Sequence, residues 1–287
     1  MIQSRAVYIE RQELDNQELM LKEIFTINEE VIIFDIGACE GESSIRYARQ
    51  FPNSRVYCFE PIPKNFERIL ENITTYQAKN IFANQLCLSD KSGEVEFNVS
   101  SGTPKEYENQ KLDWDFGNKS SSLLEKNEEV DVYDWLKFKE KITVQATTIK
   151  EFTNKEALSH IDFIHLDVQG AELMVLAGAG NFIESINNIW LEVEAVQIYK
   201  NQPIKKDIER FFKSKGFTKL IDTVNHVDGD QFWTRTNWIK QRKSESWIMQ
   251  KVSEVRDHEQ KYKVSIISKI RQKLQIRTRL KVLFRIS

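Results

Sequence analysis

At 287 residues the chain can bury a full core, either as one domain of about 220–250 residues with an appendage or as two domains. Its formal charge of −2 hides an asymmetry: residues 261–287 hold nine Lys or Arg and no acid, which leaves 32 bases against 43 acids in residues 1–260. An acidic body argues against broad nucleic-acid binding, and no apolar run reaches the ~18 residues of a membrane span or forms a signal peptide core, so a cytoplasmic protein, peripheral to a membrane at most, is expected. Cys39, Cys58 and Cys87 are too widely spaced for a zinc ribbon or a C-x-x-C redox pair and suit small core residues in a reducing compartment.

In chain order, Gln12–Ile27 carries Leu14, Leu19, Leu21, Ile24 and Phe25 among acids, the pattern of a covering helix. Val31–Phe34 is too short for a helix and reads as a strand buried on both faces. It ends in Asp35-Ile36-Gly37-Ala38-Cys39-Glu40-Gly41, a D-x-G-x-x-x-G turn that opens a helix at Ser43. The join of a strand's carboxyl end to a helix amino end is where open α/β sheets bind ligands. Glycines there let the backbone approach a cofactor closely. A dinucleotide G-x-G-x-x-G aligned on Gly37 would need glycines at 39 and 42, where Cys39 and Glu42 stand. An acid before the first glycine suits a cationic amine, such as the methionine end of S-adenosylmethionine, better than a pyrophosphate. The alternative is a strand-turn-helix corner that binds nothing.

Arg55–Phe59 reads as the second strand, and Glu60 follows it at once, placed to accept hydrogen bonds from a ribose diol. Pro61 and Pro63 lead into a helix over Lys64–Ile73. A third strand is expected over Ile81–Leu88, ending at Ser89-Asp90, where Asp90 is either a contact for an adenine amine or a solvated turn residue. Glu94–Val99 and Ile142–Thr148 alternate and suit an outer hairpin around a polar insert, residues 100–141, punctuated by Trp114, Phe116, Leu123, Leu124, Trp135 and Phe138. Loops of that length commonly serve as lids or binding loops. Ile161–Leu166 is the next strand, and Asp167 opens the helix that runs through Leu176. Asn188–Val193 carries Glu192 and Glu194 at its end. Helix Lys205–Lys215, strand Phe217–Ile221 and an antiparallel strand Gln231–Arg235 complete an α/β, doubly wound, mostly parallel sheet.

With those residues in place the chain resembles the FkbM family of methyltransferases, S-adenosylmethionine enzymes of the Rossmann-like class. The resemblance rests on VIIFDIGACEGESS, CFEPIPKNFERILEN, LSDKSGEVEF, GNKSSSLL, IDFIHLDVQGAELMVLAGA and LEVEAVQIYKNQP, in the family's order across Val31–Arg235. It implies a seven-stranded sheet with the last strand antiparallel. Asp35, Gly37, Ala38 and Gly41 would line the methionine end, Glu60 the ribose, and Ser89 with Asp90 the adenine. It further implies methylation of hydroxyl groups on sugars, polyketides or related small molecules. His165 stands where the family usually has a basic residue, and Gln169 where an acid is common. The organisation expected is an N-terminal helical cover (1–30), a methyltransferase domain (31–245) with the 100–141 insert on the acceptor side, and a basic helical tail (246–287).

Methyl transfer to a sugar hydroxyl needs alignment and help with a proton that is not lost spontaneously at pH 7. Asp167 and Glu192 close the fourth and fifth strands and are the first choices for acceptor or metal contacts. His226 is an alternative base, and Mg2+ held by the carboxylates is an alternative activator. His165 reads as structural. The N/D-P-P-Y/F motif of amine methyltransferases is absent, its place reading Leu166-Asp167-Val168-Gln169, which favours oxygen as acceptor atom. Residues 261–287 suit a partly amphipathic helix on an anionic membrane or a strap across the acidic body. Two other readings are a catalytically silent cofactor-binding scaffold of a glycan-assembly complex and an RNA methyltransferase using the basic tail.

Overall fold

The computed structural model describes residues 5–107, 117–130, 133 and 135–260. The basic segment 261–287 lies outside the described residues, as do Trp114 and Phe116 of the insert. The strands are β1 (Ile32–Ile36), β2 (Arg55–Phe59), β3 (Ile81–Asn84), β4 (Cys87–Leu88), β5 (Gly93–Ser101), β6 (Lys137–Thr147), β7 (Ile161–Leu166), β8 (Ile186–Glu192), β9 (Phe217–Asp222) and β10 (Asp230–Arg235). The helices are α1 (Arg5–Glu10), α2 (Asn16–Ile24), α3 (Glu42–Gln50), α4 (Pro63–Tyr76), α5 (Ile149–Lys155), α6 (Glu172–Ala177), α7 (Lys205–Ser214) and α8 (Thr236–Arg242). A further helix runs over 245–260.

Seven strands form one sheet in the order β3-β2-β1-β7-β8-β10-β9, in which β10 alone runs antiparallel. All five residues of β1 are buried, because helices cover both faces of the sheet. Ile32, Phe34 and Ile36 face one core with Phe152 and Ile164, while Ile33 faces the other with Tyr47 and Phe163. The chain leaves β1 for β2 and β3 and returns to β7 on β1's other side. That reversal opens a crevice at the carboxyl ends of β1 and β7.

Two sequence expectations change. Ile81–Leu88 is two strands, because after Asn84 the chain leaves the main sheet and Cys87 and Leu88 pair with Ala146 and Thr147 of β6. The expected hairpin exists as β5 against β6, so β4, β6 and β5 make a second, three-stranded sheet. Asp35 lies within β1 rather than after it. Residues 245–260 of the expected tail region pack on the body through buried Ile248 and Val255. The N-terminal cover carries an extra helix, α1. Buried Arg46 of α3 ties that segment down, donating to Glu18 at 2.6 and 2.9 Å and to the carbonyls of Tyr8 at 2.8 Å and Glu13 at 2.7 Å. No described helix is long and apolar enough to cross a membrane.

Candidate active site

The turn after β1 is fixed by its glycines. Gly37 has φ +83°, and a Cβ there would lie 1.8 Å from the Asp167 carbonyl oxygen, so the β1 and β7 turns meet only because residue 37 lacks a side chain. The N–H groups of Gly37 and Ala38 both donate to the Phe59 carbonyl at 3.0 Å, which ties the β2 end to the same turn. Cys39 N–H donates to Glu60 Oε2 at 3.0 Å, while Glu60 Oε1 accepts from Ile62 N–H at 2.9 Å and Asn65 Nδ2 at 3.3 Å. A carboxylate has about four acceptor positions, so Glu60 keeps capacity for a ligand. Burial pushes its carboxyl up to about 8 against those hydrogen bonds. Gly41 (φ +81°) begins α3 and packs toward Ile69 rather than walling a cavity.

Asp35 accepts from Ser44 Oγ at 2.5 Å, and its other oxygen lies 3.6 Å from His165 Nδ1. Burial pushes the Asp35 carboxyl up to about 7. Tyr47 Oη lies within hydrogen-bond distance of His165 Nδ1, at 3.0 Å, and burial lowers the histidine's basicity. His165 thus has the structural partner expected of it, and it also lines a cavity.

Three cavities meet at the crevice, and Asp167 and Lys119 wall all of them. The first is a narrow slot of about 40 Å³ between Glu60, Ile62, Leu86, Leu88, Phe97 and Leu123. The second, about 300 Å³, is walled by Tyr8, Asp35, Gly37, Ala38, Glu42 and His165. The third, about 240 Å³, is walled by Tyr133, Trp135, Gln169, Glu192, Glu194, Tyr199 and Asp228. In it the Gln169 amide bridges the two strand-end acids, donating to Asp167 Oδ1 at 2.8 Å and Glu192 Oε2 at 2.5 Å. Gln169 Oε1 lies 2.9 Å from the Tyr199 hydroxyl. Burial raises the carboxyls of Asp167 and Glu192, each reinforced by other acids nearby, and brings Glu194 to about 7.

Asp35, Gly37, Ala38, Glu60, Asp167 and Glu192 therefore converge as the sequence suggests. Ser89 is buried, donating from Oγ to Asp90 Oδ1 at 3.1 Å, and Asp90 is exposed; neither walls a described cavity. The slot wall is instead Leu86, Cys87 and Leu88 just before them. His226 is exposed and apart from the cavities. Sequence spacing does not single out Lys119, Tyr8 or Asp228, and it marks Tyr199 only as a residue of the loop beyond Glu194. Lys119 lies in the GNKSSSLL segment, but nothing in its spacing aims it at Asp167.

The cavity chemistry fits S-adenosylmethionine. Carboxylates are available for an ammonium and a diol, and the slot has apolar walls, though a purine requires those walls to part. A resident divalent cation fits poorly, because a Gln169 N–H group stands between the carboxylates expected to share it. Among the described residues the group of three acids close enough to share an ion is Glu209, Asp222 and Glu259, and the Lys219 ammonium binds all three.

Sheet order, crevice and acid-lined turns define a Rossmann-like methyltransferase. The chain belongs to the methyltransferase FkbM domain family, which it matches over residues 35–219, and is an S-adenosylmethionine-dependent methyltransferase. It is 28% identical over 200 residues to 2-O-methyltransferase NoeI of Sinorhizobium fredii, covering 69% of this chain and 77% of that protein. It is 24% identical over 243 residues to methyltransferase sdnD of Sordaria araneosa, covering 75% and 87%. Among solved structures it is similar to methyltransferase FkbM from Methylobacillus flagellatus KT, at 13% identity and TM-score 0.47, covering 80% of this chain and 50% of that one. The chain thus spans half the length of that solved relative.

Proposed function

We propose that this enzyme is an O-methyltransferase acting on a hydroxyl of a saccharide, glycan or similar small molecule. The observation that carries this reading is the third cavity, where two half-buried, amide-bridged carboxylates stand beside three aromatic side chains and one of them, Asp167, also walls the cavity beside the turn expected to hold the cofactor. When bound, S-adenosylmethionine supplies an electrophilic methyl group on a sulfonium. Glu60 would offer its remaining acceptor capacity to the ribose hydroxyls, Asp35 would meet the ammonium, and Leu86 to Leu88 would give the adenine apolar cover. As the C–O bond to the methyl forms and S-adenosylhomocysteine leaves, the single hydroxyl proton goes to one carboxylate of the Asp167–Glu192 pair, whose basicity burial raises above that of an ordinary carboxylate. Tyr133, Trp135 and Tyr199 give a sugar's C–H faces apolar cover. Gln169 holds the two carboxylates in place, and no metal ion is assigned to the step. The oxygen-directed activity in the name of NoeI supports the same acceptor atom.

The test is to supply the protein with isotopically methyl-labelled cofactor and pools of saccharides, glycolipids and amines, and to locate the label by mass spectrometry and NMR. Labelled methyl ethers are expected. Label on nitrogen alone would overturn the reading.

A further inference from the structure

The second cavity carries one feature that the catalytic reading does not use. A ligand with an amino-acid end brings both an ammonium and a carboxylate. The carboxylates of Asp35, Glu42 and Asp167 line this cavity and suit the ammonium. Among the described residues lining it, Lys119 is the one Lys or Arg, and burial disfavours a charge on His165. We propose that Lys119 binds the α-carboxylate of the cofactor's methionine end, so that the insert carries part of the donor site. This rests on the cofactor reading above.

Lys119 is placed for this by a short helical turn, Gly117–Ser120, clamped on β5 and α4. A Cβ on Gly117 would meet the Gly102 nitrogen at 2.3 Å, so this backbone lies directly against the start of the insert. Ser120 N–H donates to Ser100 Oγ at 3.2 Å. The Asn118 and Asn65 amides bond each other, and Asn65 also donates to Glu60. Lys119 Nζ then lies 2.9 Å from Glu42 Oε1 in the first turn of α3. Burial works against its charge, but Glu42 and neighbouring groups outweigh that and keep it cationic. An ammonium has three donors, so it can serve Glu42 and a ligand carboxylate together. The same turn walls the acceptor cavity, where the Ser120 carbonyl lies 2.8 Å from the Tyr199 hydroxyl. A donor gripped by Lys119 therefore steadies the segment that completes the acceptor cavity.

The experiment compares S-adenosylhomocysteine with 5′-methylthioadenosine, which lacks the amino-acid end, by calorimetry on the full chain. Lys119→Met should weaken S-adenosylhomocysteine about 10- to 100-fold, the size of a charge-assisted hydrogen bond, and leave methylthioadenosine within about twofold. Retained methylthioadenosine binding also shows that the variant is folded. Lys119→Arg should recover much of the loss. If Lys119 only neutralises Glu42, the double variant Lys119→Met/Glu42→Gln would regain wild-type affinity, and that result would overturn the proposal, as would equal losses for both ligands or none for either. Hydrogen exchange across residues 117–124 of the wild-type protein should slow with S-adenosylhomocysteine and not with methylthioadenosine; equal slowing counts against Lys119. A wild-type protein that binds neither ligand would instead remove the cofactor reading itself.

Discussion

Two groups of carboxylates lie along the carboxyl edge of the same sheet and are treated in opposite ways. At the end of β9, Asp222 is met by Lys205 at 2.8 Å and by Lys219, whose ammonium also binds Glu209 at 2.6 Å and Glu259 at 2.7 Å. The lysine partners pull the Asp222 and Glu209 carboxyls down against the opposing effect of burial. At the ends of β7 and β8, Asp167 and Glu192 share the Gln169 amide; burial raises both, with neighbouring acids adding to it at Glu192, while at Asp167 it outweighs that hydrogen bond and the pull of His165 and Lys119. The first group holds α7, β9 and the 245–260 helix together. The second keeps basicity and hydrogen-bonding capacity for a ligand, at a cost to stability. Acids at strand ends look alike in sequence; their neighbours decide which are structural and which are left for chemistry.

The largest effect that would sharpen this contrast is on turnover. Asp167→Asn or Glu192→Gln should lower kcat/KM for methyl transfer by about 10²- to 10⁴-fold, as expected for loss of a general base, while the melting temperature holds or rises. A variant that melts well below wild type would place these acids with the structural group. Lys219→Met should do the reverse. It leaves Asp222 and Glu209 without their shared cation and should cost about 3–5 kcal/mol in urea unfolding, with cofactor affinity of the folded protein unchanged. Little loss of stability would break the comparison from the other side.

Glu60→Gln comes next, with an expected loss of about 1.5–3 kcal/mol in cofactor binding by calorimetry, since each hydrogen bond to a charged group is worth that much. The last effect is in pH, where the two groups titrate in separate ranges. Asp35, Glu194 and Asp230, pushed by burial to about 7, and Glu60, to about 8, hold protons more tightly folded than unfolded. Their contribution to stability is therefore full below their unfolded values near pH 4 and is lost as the pH rises through about 7 to 8. Asp222 and Glu209, lowered, contribute above their unfolded values and lose that contribution as the pH falls. Urea midpoints of the ligand-free protein should decline between about pH 5.5 and 8, and a steady rise there would show that the unpaired acids are better compensated than their surroundings indicate.

The donor half of the site was readable from the chain because its causes are local. A buried apolar strand, an acid and a glycine requiring positive φ stand within a few residues, and Glu60 follows the next strand directly. The same logic placed Asp167 and Glu192. It misplaced the third strand, since nothing in Ile81–Leu88 marks the point where Asn84 ends pairing with β2 and Cys87 begins pairing with β6. It also pointed to Asp90 and His226, residue types that suit the chemistry but whose side chains the fold leaves exposed.

The layered α/β fold, the Asp35 turn and the acids that end the strands follow from local pattern, because burial pattern, strand length and backbone freedom act over a handful of neighbouring residues. Packing in three dimensions is what makes Lys119 join three cavities, Tyr8 wall one of them, and Gln169 bridge Asp167 and Glu192 while Lys219 neutralises Asp222. Much of that is long-range: the pairing of Lys119 with Glu42, for example, spans 77 residues. Even Lys219 and Asp222, three residues apart, act within a network that Glu209, Lys205 and Glu259 complete only when α7 and the 245–260 helix pack beside β9. Charge compensation depends on distances in space that spacing along the chain does not carry.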